Sequence, residues 1–133
     1  MSRIPTIVQR MQRAGWKPGG PITRAEVDAA EMYIGFMLPP AYREFLIAAG
    51  KTEAPTWRGL WNLQEMVSLN RSLPLFRWFE GLVGIGNEGF MVVALNYRAQ
   101  EPTVVTMGMS SSDWAEVVTE AESFEEWLAG TVG

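Results

Sequence analysis

The chain has 133 residues, a length that fits one compact domain and hardly leaves room for two. Hydrophobic residues make up 47% and charged residues 20%, which argues against a disordered chain. There is no cysteine and no histidine, so disulfides, thiolate or imidazole metal ligands and every Ser-His or Cys-His catalytic pair are excluded. Composition alone therefore predicts a folded domain that is not an enzyme.

The formal net charge of −4 argues against direct binding of nucleic acid, which needs a basic face to displace counterions from phosphates. The charge is also unevenly placed. Residues 1–25 carry no acid but the bases Arg3, Arg10, Arg13, Lys17 and Arg24, whereas no base follows Arg98 and seven acids do: Glu101, Asp113, Glu116, Glu120, Glu122, Glu125 and Glu126. The two ends could attract each other, or each run could be the solvated face of a helix.

No targeting or membrane-spanning segment is visible, since the longest apolar run, residues 90–95, is only six residues long. We therefore expect a cytoplasmic protein that does not bind membranes. The Pro- and Gly-rich stretch 15–21 breaks any helix before it. We expect one domain over residues 1–133, with an N-terminal helix and connector in 1–21 and the core in 22–129.

Apolar periodicity and capping residues predict three helices in the first fifty residues. Thr23 with Glu26 forms a capping-box pattern at the start of the second helix, which Gly35 can end. Pro39 suits the start of a third helix, and Gly50 its end. The three apolar stripes are Ile4, Ile7, Val8 and Met11, then Val27, Ala30 and Ile34, then Tyr42, Phe45, Leu46 and Ala49.

After residue 57 the pattern changes to short apolar runs typical of strands. Residues 60–63 resemble a short strand, Asn62 is a candidate cap for a helix through Leu69, and residues 71–79 have no regular pattern. Runs at 82–85, 90–97 and 103–107 predict antiparallel strands, the first two joined by a turn at 86–89 that uses glycine for positive φ.

The C-terminal part is ambiguous at first and then helical. Residues 110–121 fit either a strand around 115–118 or a helix. Ser123 with Glu126 starts a closing helix that Gly130 can end. The order of elements predicts an α+β domain in which N-terminal helices pack on a central, mainly antiparallel sheet with a C-terminal helix.

The combined pattern resembles the SUKH superfamily, whose founders include fungal cell-wall-synthesis regulators. The residues that carry this resemblance are Ala30-Glu31-x-x-Ile34-Gly35-x-x-Leu38-Pro39-x-x-Tyr42-x-x-Phe45-Leu46-x-x-x-Gly50, Trp61-Asn62-Leu63-x-Glu65, Val83-Gly84-Ile85-Gly86-Asn87-Glu88-Gly89 and Ser123-Phe124-x-x-Trp127-Leu128. Asn96 departs from the pattern, because the second hairpin strand of the family often ends in an acid. Glu31 could have a functional role, or it could be an exposed or locally hydrogen-bonded helical carboxylate.

Two patterns that could indicate enzyme chemistry do not fit it. Gly84, Gly86 and Gly89 match G-x-G-x-x-G, but a strand pattern follows where a nucleotide-binding loop would lead into a helix. Acids four residues apart, Glu116 with Glu120 or Glu122 with Glu126, lie in a surface-like run without an apolar enclosure. We therefore expect no catalytic residue, no bound metal and no cofactor.

Six tryptophans and nine arginines exceed what a small core needs, and both residue types are common at protein interfaces. Arg stands beside Trp in two stretches without regular pattern, 55–59 and 75–79, and a polar turn is predicted at 86–89. The residues predicted to bind a partner are Trp57, Arg58, Arg77, Trp78, Asn87 and Glu88. Alternatively, Trp61 and Trp78 fill the core and the arginines are solvated.

The resemblance to bacterial SUKH members implies an immunity protein that binds and blocks a cognate toxin, often a nuclease. The expected partner is therefore a protein, a toxin domain, and an acidic surface would help to steer it. The alternative class is a regulatory scaffold or adaptor, as the fungal relatives suggest. The sequence does not indicate an oligomeric state.

Overall fold

The computed structural model describes residues 2–53 and 57–132, and over these it contains six α-helices and a four-stranded sheet. The helices are α1 (Ile4–Arg13), α2 (Arg24–Ile34), α3 (Pro40–Ala49), α4 (Leu63–Ser72), α5 (Leu75–Trp78) and α6 (Phe124–Thr131). The strands are β1 (Leu82–Glu88), β2 (Met91–Asn96), β3 (Thr103–Gly108) and β4 (Val118–Ala121). In this part of the chain, no helix has the length and apolar character needed to cross a membrane.

The sheet is an antiparallel meander with strand order β1-β2-β3-β4, and both of its faces are covered. One face packs on the helices and carries Val83, Ile85, Val93, Leu95 and Val104. The other face packs on α5 and on a 3-10 turn at Trp114–Glu116, and it carries Leu82, Val92, Ala94, Val105 and Met107. The predicted α+β class with a single domain is confirmed.

Helix α1 packs against α3 and α6, so the N-terminal segment is part of the domain core. Its predicted apolar stripe is buried, with Met11 fully inaccessible, and Trp16 stacks on Phe45 with ring centroids 6.3 Å apart. The backbone N–H of Arg3 donates to Glu125 at 3.3 Å, which is one contact between the basic and acidic ends. The ion pairs seen among the described residues all involve Arg43, so attraction between opposite side-chain charges does not hold α1 in place.

The predicted caps of α2 and α6 form only in part: the side-chain acceptor satisfies a backbone donor, but among the described residues Glu26 and Glu126 do not complete the predicted capping boxes. Thr23 and Ser123 accept from the backbone N–H three residues later, in each case at 3.2 Å. Asn62 forms a complete capping box with Glu65 and starts α4. Gly35 ends α2 in the left-handed conformation, with φ +82°.

Several predicted boundaries were wrong, among them the end of the last helix, since Gly130 lies inside α6. Residues 71–79 are not irregular, because α4 continues to Ser72 and Pro74 then starts the single turn of α5. Residues 60–63 do not form a strand: Leu60 makes one isolated bridge to Gly86 before α4 begins. In 110–121, the 3-10 turn comes first and the strand starts later than expected, at Val118.

The turn predicted at 86–89 is shorter than expected, because β1 continues through Gly86 to Glu88, while Gly84 lies in a strand as predicted. Gly84 and Gly86 lie within β1 without positive φ, and the two-residue turn is Gly89-Phe90, in which Gly89 has φ +56°. Gly84 and Gly86 are needed in the strand because they carry no side chain, which lets neighbouring groups approach the backbone closely. A Cβ on Gly84 would lie 2.2 Å from the ring of Phe76, and one on Gly86 would lie 2.7 Å from the carbonyl oxygen of Gly59. These close approaches require glycine in the strand.

Candidate partner-binding site

Glu31 is a structural residue that fixes the connection between α2 and α3. Its carboxylate accepts from the backbone N–H of Leu38 at 2.6 Å and from the Arg43 guanidinium at 2.5 Å, and its side chain is only 15% exposed. The same guanidinium donates to Asp28 at 2.6 Å. The pKa of Arg43 is raised, chiefly by its side-chain hydrogen bond to Asp28. The locally hydrogen-bonded alternative for Glu31 is therefore correct.

Trp57 and Arg58 form a 3-10 turn with Gly59 that contacts the end of α6. The indole N–H of Trp57 donates to the Thr131 hydroxyl at 2.9 Å, and Arg58 donates to the Thr131 carbonyl oxygen at 3.2 Å. Arg58 is exposed and has φ +51°, which is uncommon for a residue with a Cβ. The neighbouring residues 54–56, part of the predicted stretch 55–59, lie outside the described residues.

Asn87 and Glu88 end β1 close to this turn, since a Cβ on Gly59 would touch the backbone of Asn87 and the side chain of Glu88. The Asn87 amide is already engaged. Its oxygen accepts from the indole N–H of Trp61 at 2.8 Å and its nitrogen donates to the Gly89 carbonyl oxygen at 3.0 Å. Glu88 is exposed. The structure therefore brings Trp57, Arg58, Asn87 and Glu88 together, with Arg58 and Glu88 facing solvent.

Arg77 and Trp78 form a separate exposed site on α5. Leu75 and Phe79 on either side of them are buried, 4% and 1% exposed, and fix the turn on the sheet. Trp78 by contrast is 73% exposed and Arg77 is exposed beside it. Trp78 ends α5 four residues before the start of β1, whereas Asn87 is the next-to-last residue of that extended seven-residue strand, so Arg77 and Trp78 do not join the other four.

The alternative in which two tryptophans fill the core is half correct. Trp61 is buried, 4% exposed, and packs edge-on against Phe76 with centroids 6.5 Å apart. Trp78 is not part of either core cluster of the described residues. Of the predicted residues, Trp78 therefore presents the largest apolar surface to a partner.

A second exposed surface was missed by the sequence analysis. It comprises Met32, Tyr33 and Met37, which are 86%, 60% and 84% exposed at the end of α2 and in the loop after it. The Arg71 guanidinium lies 4.2 Å from the ring centroid of Tyr33, which links α2 to α4 across a groove of about 830 Å³. The sequence could have indicated this surface, because none of the three apolar residues belongs to the buried stripe of α2.

The acidic pairs do not form a chemical site. Glu116 lies in a 3-10 turn and Glu120 on β4, while Glu122 precedes α6, so neither pair shares the face of one helix. Glu120 accepts from the Thr106 hydroxyl at 2.8 Å. Within residues 2–53 and 57–132, no group of three or more acidic side chains is placed to hold a metal ion.

The fold and these surfaces can be compared with known families. The model of the SMI1 / KNR4 family (SUKH-1) matches residues 21–130, which is most of the chain. The chain belongs to this SUKH family. No curated protein matches it.

The SUKH match begins in the connector before α2 and ends inside α6, so it covers the sheet and five of the six described helices. Helix α1 lies outside the matched region, although it buries its apolar stripe on the domain. Asn96, which departs from the family pattern, accepts from the backbone N–H of Arg98 at 3.0 Å. At this position the side chain stabilises the turn after β2.

Proposed function

We propose that this SUKH domain is a non-enzymatic, cytoplasmic immunity protein that binds and neutralises a cognate toxin domain. Membership of the SUKH family supports a binding module of this type. The lack of cysteine fits a reducing compartment. The observation that carries the proposal is the 73% exposed Trp78, which lies beside Arg77 on a turn fixed by buried neighbours.

Trp78 has the properties of an interface hot spot. Tryptophan contributes a large apolar surface and an N–H donor at low conformational cost, and Trp and Arg are enriched among residues that dominate binding energy. Because Leu75 and Phe79 are buried on both sides, the ring is presented from a fixed backbone and little entropy is lost on binding.

The negative surface charge of the domain favours a partner with a basic surface. The net charge is −4, and the acids that follow Arg98 are mostly exposed. A toxin that acts on nucleic acid needs a basic cleft, and an acidic domain would be attracted to that cleft before contact. Electrostatic attraction raises the association rate and falls with added salt.

The test is co-purification of this protein with the product of the neighbouring gene, followed by titration and a growth-protection assay. Trp78→Ala is expected to weaken the complex by at least about 30-fold, the equivalent of a 2 kcal/mol hot spot. Met37→Ala, at another exposed apolar residue, is the matched control and should leave affinity unchanged. If no neighbouring product binds and expression gives no protection, the immunity role is wrong.

An adaptor role is the second candidate, and the exposed methionines favour it. Met32 and Met37 are flexible, polarizable side chains that suit surfaces able to bind more than one partner. The two functions differ in what they predict. An immunity protein binds one toxin and protects a cell that expresses it, whereas an adaptor binds several partners through the Met32 and Met37 surface and gives no protection.

A further inference from the structure

The two outer edges of the sheet differ in how they are covered. At β1, the backbone N–H of Trp61 donates to the Ile85 carbonyl oxygen at 2.8 Å and Leu60 bridges Gly86. At the other edge, β4 pairs with β3 only. In the part of the chain that the structure describes, no backbone hydrogen bond reaches the outer side of β4. Its outward N–H and C=O groups are therefore available to another strand.

The side chains along this edge are accessible. Val118 is 53% exposed, and Thr119 and Glu120 are exposed as well. The β3–β4 register changes between Val104 and Val105, which leaves Glu120 as an extra residue in a bulge. An added strand would thus meet one apolar side chain and one carboxylate within three residues.

Strand β4 and the residues directly before and after it carry several acids and no base, and the nearest base placed against this segment is Arg98, whose guanidinium lies 4.1 Å from the ring centroid of Trp114 in the preceding 3-10 turn. Glu116 and Glu122 lie within two residues of the ends of β4, Asp113 lies five residues before it, and no base follows Arg98. An incoming strand with Lys or Arg at alternate positions would place its charges on one face, next to these carboxylates.

We propose that the edge of β4 binds an extended basic segment of a protein partner, which adds to the sheet as a fifth strand. This inference rests on the proposed function, since it names where a basic partner docks. Backbone hydrogen bonds would supply affinity, and the alternate Lys or Arg side chains would supply specificity.

The same features oppose a second copy of this chain as the occupant. Pairing β4 with β4 would bring two sets of glutamates together, and like charges across a strand pair are destabilising. The short strand and the bulge at Glu120 further oppose pairing of identical edges. The edge is therefore selective for opposite charge.

The first experiment uses a synthetic peptide of alternating Lys and Val as the probe, followed by NMR titration of the full-length protein. Shift changes and slowed amide exchange are expected over residues 118–121. A peptide of the same charge with a central proline is the control, because proline cannot complete the ladder, and an alternating Glu and Val peptide tests the charge. Equal binding of the proline peptide would overturn the inference.

Charge reversal locates the binding on the protein. Glu122→Lys is expected to lower the affinity for the Lys-Val peptide by about tenfold or more, since it places like charges together. Glu26→Lys makes the same change on the exposed start of α2, away from β4, and should have little effect. Equal losses in both variants would overturn the proposed edge contact.

The toxin complex separates this inference from the proposed function. If the neighbouring gene product binds but amides 118–121 gain no protection from exchange, the edge inference is wrong and the immunity role stands. If the Lys-Val peptide protects these amides while no neighbouring product binds or is neutralised, the immunity role is wrong and the edge still binds basic strands.

Discussion

Replacing Gly84 by alanine is expected to destabilise the domain through a clash between β1 and α5. The added Cβ would lie 2.2 Å from Cζ of Phe76 and 2.9 Å from Cζ3 of Trp61. Carbon atoms pack at about 3.5 Å or more, so the first contact is about 1.3 Å too short. The Phe76 ring is half-buried and packs against Trp61. To relieve the clash with the new Cβ, the ring must leave its position beside Trp61.

The expected change in the free energy of unfolding is the sum of two opposing effects. Overpacking a core costs about 1–3 kcal/mol, while replacing glycine in a strand returns about 0.5–1 kcal/mol of backbone entropy. We expect a net loss of about 1–2 kcal/mol in the free energy of unfolding, seen as a urea midpoint lowered by roughly 0.5–1 M. Gly130→Ala, at a helical glycine with open space around it, is the control and should be neutral or stabilising.

A double-mutant cycle tests the cause. Phe76→Leu removes the ring atoms nearest to the new Cβ, so the loss in Gly84→Ala with Phe76→Leu should be smaller than the sum of the two single losses by about 1 kcal/mol. Additive losses would show that the ring is not what the alanine meets. An unchanged urea midpoint in Gly84→Ala alone would refute the packing argument at this position.

Two further predictions concern polar groups of the core and its rim. Tyr42 is fully buried, and its hydroxyl has no hydrogen-bond partner among the described residues. Tyr42→Phe is therefore expected to leave stability unchanged or raise it by up to ~1 kcal/mol. Burial also raises the pKa of Tyr42, so stability is retained below the unfolded value of about 10 and falls as pH rises above it. The phenylalanine variant should resist alkaline unfolding better, and a loss near neutral pH would show that the hydroxyl has a partner. Glu31→Gln should cost about 1 kcal/mol in urea unfolding, because it removes the charge from the half-buried pair with Arg43. Asp28→Asn, at the exposed end of the same network, should cost less than ~0.5 kcal/mol, and equal costs would contradict this assignment.

Local sequence patterns were sufficient for the order and type of most elements. The apolar stripe of α1, the Asn62 cap of α4 and the end of α2 at Gly35 depend on residues within a few positions of one another. The same holds for the short apolar runs of the sheet. These features could be predicted because their causes are hydrogen bonds and side-chain contacts along one segment of chain.

Tertiary structure decided which residues of a type are used for packing and which are exposed. Trp61 and Trp78 both stand in short apolar segments, yet one is buried against Phe76 and the other is 73% exposed. Gly86 was predicted to lie in a turn and instead lies in β1, where an added Cβ would lie 2.7 Å from the carbonyl oxygen of Gly59. Burial of a side chain and space at a glycine depend on segments distant in the chain, and only packing of the whole domain brings those segments together.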